Sequence, residues 1–475
     1  MQLGYHHGMQ QQQRQQYHQH QQRSHYQQQQ QQQKQQKQQL DDLKTQLETE
    51  MEKDPNMSSV DLSPCELDTI GRIHGTIFNT LNPAHGETAV RHDWLRLMSV
   101  QADPRGRDSN PCLVDIQLLH NIHKYKEKIT NLLQKNTLLF LSLSKVLNPY
   151  EGLSSTRLVG PSAVVMGNID SHVHAVSEYT AKDVFRFVDL ESTSGGFSEY
   201  ILWKVSKSQQ LTDVRGWYLK SNAAASGVSE HMLPECKATE RLSEFGQLVG
   251  KDVILDRANI DAFVKHVKSE NTQSQGVDLV VAEKDDLDTT DLDLFFEKRQ
   301  HAFTIAQAIV ALRLLRLGGT FVFKIYEISM PLSAELLFLI HSLFKRMSIV
   351  RSLASRPTSA ERFVVCSEMV GDPSWLINHL SSALHSIMHG SMKLSHLVSW
   401  TNLSKNVNFL KFIWNFNEGI AKTQADAFQA MEGFIEAQGP RIKDSVTGKD
   451  LTCLQKSVAY ACLERWGMVD LVCDD

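Results

Sequence analysis

Short apolar runs alternate with helical segments between residues 185 and 369, and this alternation limits the folds that the chain can adopt. Five runs are predicted to be buried strands: FRFVDL (185–190), GWYL (216–219), VDLVVA (277–282), TFVFKIY (320–326) and FVVCSEM (363–369). Helical spacing lies between them, in residues 195–205, 260–269 and 295–317. This order predicts an α/β fold: a Rossmann-like, doubly wound and mostly parallel sheet, in which 185–190 and 277–282 are neighbours.

Helical segments are predicted on both sides of the sheet. Apolar spacing predicts helices in 66–82 and in 113–147, and the Asn148-Pro149 pair ends the second of these. From Pro373 to the end the spacing is again helical. We therefore divide the chain into four parts: a Gln-rich head (1–60), a helical N-terminal part (61–147), the sheet domain (148–372) and a helical C-terminal extension (373–475).

The Gln-rich head is expected to be disordered. Residues 1 to about 39 are mostly glutamine with some histidine, lysine and tyrosine, and they cannot bury enough apolar surface to offset the entropy of an ordered chain. Two interpretations stay open for this segment: a spacer without function, and a docking segment for a protein partner.

Charge and cysteine content exclude several classes of protein. The 49 Lys and Arg residues are balanced by 54 Asp and Glu, for a formal net charge of −5, so any RNA site must be a local patch. The seven cysteines form no CxxC pair, which favours reduced thiols over a zinc site or a disulfide framework. No apolar run reaches the roughly 20 residues of a membrane span. We expect a nuclear or cytosolic protein without a metal site.

The turn after the first predicted strand is the candidate ligand site. In an open α/β sheet, ligands bind beyond the carboxyl ends of the strands, at the point where the strand order reverses. Here that turn is DLESTSGGFSEY (189–200), in which Gly195 and Gly196 open a helix. Glycines allow a ligand to approach the backbone and leave amide groups free to face it. A plain tight turn between strand and helix is the alternative interpretation.

Several segments in the same order resemble the RrmJ/FtsJ class of methyltransferases, and most closely the animal mRNA cap 2′-O-methyltransferases. The turn at 189–200 is similar to the family's Asp-x-x-Ala-x-Pro-Gly-Gly-Phe-Ser-Glu-Tyr, with Ser192 and Ser194 replacing Ala and Pro. Further resemblance lies in LSKVLNPYEGL (144–153), AVVMGNID (163–170), SRPTSAERFVVC (355–366) and CLERWGMVD (462–470).

The resemblance implies S-adenosylmethionine as the cofactor and capped mRNA as the substrate. The implied cofactor-binding residues are Asp189, Ser192, Ser194, Gly195, Gly196, Phe197, Asp252 and Val253. The family uses a Lys-Asp-Lys-Glu tetrad, and its last three positions fall on Glu283, Lys324 and Glu361. The first lysine falls on Val165, which has no proton chemistry.

The resemblance also implies nuclear location and RNA-contacting residues. These are Arg356, Ser359 and Arg362, in a basic run that begins at Lys345 and includes Arg346 and Arg351. The solvated face of an amphipathic helix is the alternative interpretation of that run.

Three functions remain open at this point. The first is an active cap 2′-O-methyltransferase, and the second is a catalytically inactive paralogue that binds capped RNA or a protein partner. The third is a methyltransferase that uses Lys324 alone on another substrate. The valine at position 165 favours the second over the first, because a general base or its electrostatic partner typically contributes about 10²–10⁴-fold to the rate.

Overall fold

This computed structural model describes fourteen stretches of the chain. They are residues 77–81, 95–99, 112–133, 137–148, 150–155, 157–158, 160–190, 195–219, 242–246, 253–271, 276–283, 296–389, 394–438 and 449–471. The Gln-rich head (1–60) lies outside them, so the expectation of disorder there stays a prediction.

The described residues form ten strands and eleven α-helices. The strands are β1 (Ile77–Leu81), β2 (Leu95–Ser99), β3 (Val184–Leu190), β4 (Asp213–Leu219), β5 (Leu242–Phe245), β6 (Val277–Ala282), β7 (Leu315–Ile325), β8 (Phe344–Arg351), β9 (Arg362–Met369) and β10 (Leu394–Val398). The helices are α1 (Ile116–Leu132), α2 (Thr137–Val146), α3 (Pro161–Val173), α4 (Gly196–Ser206), α5 (Arg257–Glu270), α6 (Phe296–Leu314), α7 (Pro331–His341), α8 (Ser374–Met388), α9 (Trp400–Leu403), α10 (Val407–Gln438) and α11 (Lys449–Arg465).

Among the described residues, eight strands form one sheet in the order β1-β8-β9-β7-β6-β3-β4-β5. Strands β3 to β7 pair in parallel with one another, whereas β9 pairs antiparallel with β7 and with β8. The first parallel strand, β3, lies between β4 and β6, so the strand order reverses beside it. The Rossmann-like sheet is confirmed, including the predicted pairing of 185–190 with 277–282.

The two faces of this sheet are both buried, which explains why its strands are apolar throughout. Alternate side chains of a strand point to opposite faces. On β7, Phe321 and Phe323 lie in one apolar cluster, together with buried residues of α5, α6, α7 and α8. Val322 lies in the other cluster, together with residues of α3, α4 and α11. We call these the broad face and the narrow face of the sheet.

Two segments for which helical spacing was considered contain strands instead. Ile77–Leu81, inside the segment predicted as helix at 66–82, pairs antiparallel with Phe344–Arg351. That second strand carries Lys345, Arg346 and Arg351, so the alternative of an amphipathic helix face was wrong. Short apolar runs fit the periodicity of a helix as well as that of a strand. In these two segments, pairing between parts of the chain that are far apart in sequence selects the strand.

The flanking regions are not purely helical. Leu394–Val398, in the extension predicted as helical, pairs antiparallel with Leu95–Ser99 in a separate two-stranded sheet. The helix predicted at 295–317 ends at Leu314, and β7 begins at the next residue. Gly318 lies within that strand with φ +75°, a backbone conformation that L side chains rarely adopt.

Candidate active site

Three neighbouring strands deliver polar side chains to one edge of the sheet. Asp189 lies near the carboxyl end of β3, Glu283 directly follows β6, and Lys324 lies near the end of β7. The carboxyl ends of parallel strands meet at the same edge, and the alternation along each strand directs these three side chains to the narrow face. The edge is the position at which open α/β sheets bind ligands.

Lys324 is held by two carboxylates. Its Nζ lies 3.1 Å from Glu361 Oε2 and 3.8 Å from Glu283 Oε1. The Lys324 and Glu283 side chains are each 5% exposed and that of Glu361 is 16% exposed, so the cluster is largely shielded from water. The structure therefore brings together the three predicted residues Lys324, Glu283 and Glu361.

Glu361 is held in its ionised form by its surroundings. Burial alone would raise the pKa of its carboxyl, but the positive charge of Lys324, the Ser355 hydroxyl and the positive charge of Arg356 together outweigh burial and hold the pKa below its ordinary value. At neutral pH the carboxylate is therefore charged and fixes the position of the ammonium group.

Tyr326 is a member of this site that sequence reasoning missed. Its ring centroid lies 5.3 Å from Lys324 Nζ, within the range of a cation–π interaction. The signal was present, because residues two apart on an extended chain share a face and TFVFKIY had been predicted as a strand.

Val165 lies in an apolar layer. It belongs to α3, which packs on the narrow face, and its side chain is 4% exposed. Val322 of β7 and Phe363 of β9 belong to the same apolar cluster. The residue at the first position of the predicted tetrad, Val165, thus contributes packing in this chain and no charge.

The turn that precedes α4 has the features of a ligand-binding loop. Gly195 has φ +72°, in the left-handed region, and Gly196 is the first helical residue. Asp189 is fully buried and accepts hydrogen bonds from the Ser198 amide, at 3.2 Å, and from the Ser198 hydroxyl, at 2.6 Å. The carboxylate thereby ties the end of β3 to the first turn of α4.

A close approach between two helices shapes the same turn. A Cβ added at Gly196 would lie 2.8 Å from the Ala163 amide nitrogen and 2.8 Å from Ser162 Cβ. Helix α3 therefore touches the first turn of α4, and no residue larger than glycine fits there. The left-handed glycine, the helix amino terminus and the buried carboxylate together fit an adenosine-containing cofactor.

The other predicted cofactor residues have different outcomes. Phe197 of α4 is fully buried, and its ring centroid lies 5.9 Å from that of Phe363 in β9, so it packs between the helix and the sheet. Val253 is fully buried and its carbonyl accepts a hydrogen bond from Asn259 Nδ2 at 3.0 Å. Ser192, Ser194 and Asp252 lie outside the described residues, and their roles stay predictions.

The predicted RNA-contacting residues lie at different depths. Arg356 is partly exposed, and Ser359 is buried, with its hydroxyl accepting a hydrogen bond from the Glu361 amide. Arg362 is buried on the broad face, where it donates to Asn417 Oδ1 at 2.6 Å. Because its side chain is 3% exposed, it cannot contact RNA without leaving the core. The prediction that Arg362 contacts RNA is therefore corrected: Arg362 is a core residue that packs inside the protein.

Within the described stretches, no group of three or more His, Cys, Asp or Glu side chains could hold a metal ion. Over the same stretches, no helix is long and apolar enough to cross a membrane.

Comparison with known proteins finds similarity to methyltransferases over part of the chain. A family model described as FtsJ-like methyltransferase matches residues 168–369. Cap-specific mRNA (nucleoside-2'-O-)-methyltransferase 1 of Dictyostelium discoideum is 24% identical over 368 residues, covering 74% of this chain and 46% of that protein. The protein of the same name from Drosophila melanogaster is 25% identical over 342 residues, covering 68% of this chain and 40% of that protein. The chain thus spans less than half the length of these relatives.

A solved structure with low similarity is an O-methyltransferase family protein from Burkholderia thailandensis. It matches 53% of this chain and 73% of its own chain, with 12% sequence identity and a TM-score of 0.28.

Proposed function

We propose that this chain is an mRNA cap 2′-O-methyltransferase, because residues 168–369 match the family model described as FtsJ-like methyltransferase. It transfers a methyl group from S-adenosylmethionine to the ribose 2′-oxygen of the first transcribed nucleotide. The observation that carries the proposal is Lys324, held by Glu283 and Glu361 at the ligand edge of the sheet.

The cofactor is placed at the turn between β3 and α4. Gly195 and Gly196 let the cofactor approach the backbone, and the amino terminus of α4 begins directly beside them. Asp189, at the end of β3, fixes the first turn of α4 through Ser198. Bound there, S-adenosylmethionine supplies a methyl group on a sulfonium, which a nucleophilic oxygen can attack.

Lys324 acts on the oxygen that is methylated. An ammonium donor at this place stabilises the negative charge that develops on the 2′-oxygen as the oxygen forms its bond to the methyl group. The bond from that methyl group to the sulfonium breaks, S-adenosylhomocysteine leaves, and the hydroxyl proton is released to water. Glu361 at 3.1 Å and Glu283 at 3.8 Å orient the ammonium, and Tyr326 covers one side of it. Since this cluster is largely shielded from water, the interaction is stronger than it is in bulk solvent.

The RNA approaches from the side of Arg356, which is partly exposed and acts electrostatically on Glu361. A guanidinium at this edge suits a backbone phosphate. With the substrate being capped mRNA, we further propose that the protein acts in the nucleus. We also propose that the Gln-rich head, residues 1–60, binds a protein partner.

The test is transfer of labelled methyl from S-adenosylmethionine to a transcript with a methylated guanosine cap, followed by nuclease digestion to locate the label. We expect label in the 2′-O-methylated first nucleotide with the wild type and none with Lys324→Met. An uncapped transcript of the same sequence tests whether the cap is required.

Cofactor binding is measured on the same preparation by calorimetry. Binding without transfer to any transcript would reject the proposed activity and leave the catalytically inactive paralogue as the function. Equal transfer to capped and uncapped RNA would keep the reaction and reject the cap as the determinant of the substrate.

A further inference from the structure

The end of the described chain packs against the segment that leads into the methyltransferase domain. Gln455 of α11 donates from Nε2 to the Asn148 carbonyl at 2.8 Å, and the Arg157 amide donates to the Leu471 carbonyl at 3.0 Å. We call α11 and the turn that follows it, up to Leu471, the C-terminal brace. All of it lies outside the family match at 168–369, although its buried residues belong to the apolar cluster of the narrow face.

The brace reaches α3 through one buried methionine. Met468 is fully buried, and a Cβ added at Gly167 of α3 would lie 2.3 Å from its Sδ and 2.9 Å from its Cε. The same Cβ would lie 3.1 Å from Tyr200 Cε2, so α3, α4 and the brace all meet at Gly167. The methionine fits here because this helix position has no side chain.

Helix α3 transmits this contact to the cofactor turn. Near its carboxyl end, Asp170 accepts a hydrogen bond from the Tyr200 hydroxyl of α4 at 2.9 Å. Near its amino end, Ser162 and Ala163 lie against Gly196 with no room for a methyl group. Since α3 touches α4 at both ends, a shift of α3 changes the space at the turn that opens α4.

We infer that Met468 is a positioning residue for cofactor binding: through Gly167 it fixes α3 against α4 and thereby sets the shape of the turn at Gly195–Gly196. The inference rests on the proposed use of S-adenosylmethionine. It assigns to the C-terminal brace a role in the cofactor site, and Met468 itself touches neither cofactor nor substrate.

The primary variant is Met468→Ala, and its matched control is Met431→Ala. Both methionines are fully buried, but Met431 lies in a different apolar cluster, formed by α1, α2 and α10. Both substitutions remove the same atoms from a core, so both should lower stability by a similar mechanism. Met468→Leu keeps an apolar side chain of similar volume and should behave as the wild type.

Two readouts are measured on each folded variant. The first is hydrogen–deuterium exchange of the amides in 196–200 without cofactor, which we expect to accelerate in Met468→Ala and not in Met431→Ala. The second is the calorimetric Kd for S-adenosylmethionine, which we expect to rise roughly tenfold in Met468→Ala and less than about twofold in Met431→Ala, where tenfold corresponds to 1.4 kcal/mol.

A second pair of variants covers the case in which Met468→Ala does not fold. Gly167→Ala places a methyl group against Met468 and should displace it, although alanine favours the helix more than glycine does. In the double variant Gly167→Ala/Met468→Ala the new methyl occupies space that the methionine has left. We expect the double variant to bind the cofactor more tightly than Gly167→Ala alone, a coupling that mere loss of stability does not produce.

The possible outcomes separate the two proposals. Unchanged exchange in 196–200 for both Met468→Ala and Gly167→Ala overturns the positioning role, whatever the cofactor affinity. Accelerated exchange in a protein whose wild type does not bind S-adenosylmethionine supports the link from Met468 to the turn and rejects the proposed function instead.

Discussion

The ammonium of Lys324 lies 3.1 Å from Glu361 Oε2 and 3.8 Å from Glu283 Oε1. The nearer carboxylate belongs to the chain entering β9, and the farther one directly follows β6, so strands on both sides of β7 contribute to the cluster. A lysine paired in this way is fixed in position before any substrate arrives, which is the condition for electrostatic stabilisation without reorganisation.

Lys324→Met is expected to remove methyl transfer and to lower stability. The loss of transfer should be at least about 10²-fold, because the variant lacks the donor that we propose for the 2′-oxygen. Breaking a buried ion pair leaves two carboxylates without their cation, and we expect the free energy of unfolding at pH 7 to fall by about 3 kcal/mol. Urea denaturation measures the second effect, and circular dichroism checks that the variant folds.

The stability loss in Lys324→Met should depend on pH in a defined direction. The folded protein holds the pKa of Glu361 below its ordinary value of 4.5, so the stability from this carboxylate is present above pH 4.5 and is lost as the pH falls through the folded pKa. The difference between wild type and variant should therefore shrink in acid.

Lys345→Met is the control, since Lys345 pairs with Glu368 at 2.9 Å but is 59% exposed. It should lose less than about 1 kcal/mol. An equal loss in both would contradict a special role for the buried cluster.

Gly196→Ala is expected to weaken cofactor binding without unfolding the protein. The added methyl would lie 2.8 Å from the Ala163 backbone nitrogen, so α3 and α4 must separate and the turn before α4 must change shape. We expect the Kd for S-adenosylmethionine to rise at least about tenfold, equivalent to 1.4 kcal/mol.

Gly433→Ala is the matched control for that variant. Gly433 also lies in a helix, α10, but an added Cβ meets nothing within 4 Å. The substitution should leave cofactor affinity unchanged and raise stability by about 0.5–1 kcal/mol, since alanine favours a helix interior. Unchanged affinity in Gly196→Ala would show that the cofactor does not use this turn.

The sequence predicted the order of the strands because that prediction depends on local patterns, and the carboxyl ends of parallel strands meet at one edge. Lys324, Glu283 and Glu361 were all assigned to that edge through the family resemblance, and the structure brings the three together. What the sequence alone did not predict was Ile77–Leu81 as a strand, because its partner lies more than 260 residues away and pairing across such a separation leaves no local signal.

Arg362 shows the same limit for a site residue. Its side chain alternates to the broad face of β9, and Asn417 of α10, 55 residues later in the chain, accepts its hydrogen bond. Burial lowers the pKa of Arg362 to about 10, so the guanidinium remains charged at neutral pH inside the core. Exposure to solvent distinguishes Arg362 from Arg356, whereas their residue type and their spacing in the sequence do not.

Arg356→Ala and Arg362→Ala should therefore fail in different ways. Arg356→Ala should weaken binding to RNA and lower the number of ions released on binding, measured from the salt dependence of the affinity, by about one. The free energy of unfolding should stay unchanged within about 0.5 kcal/mol. Arg362→Ala should lower the free energy of unfolding by about 2–4 kcal/mol, because it leaves buried partners unsatisfied. Filter binding across a salt series and urea denaturation measure the two effects. If Arg356→Ala lost stability and kept its RNA affinity, the proposed path of the RNA past Arg356 would be wrong.

Val165→Lys alone is not expected to raise methyl transfer, although it restores the residue type that the resemblance implies at this position. Val165 is 4% exposed, and its cluster includes Val322 and Phe363, so a lysine there must bury its ammonium among apolar side chains. Burial disfavours the charged form of a lysine, and a displaced apolar layer costs packing as well. We expect the free energy of unfolding to fall by about 2–4 kcal/mol at pH 7.

The pH dependence of this variant distinguishes charge from packing. A lysine whose folded pKa is depressed destabilises the protein below its unfolded pKa of about 10.4, and the deficit shrinks as the pH rises towards that value. Val165→Met, of similar length without the charge, should show a smaller deficit that does not change with pH. Increased methyl transfer by Val165→Lys at wild-type stability would overturn this account, because the new ammonium would then have reached the cluster at Lys324 without entering the apolar layer.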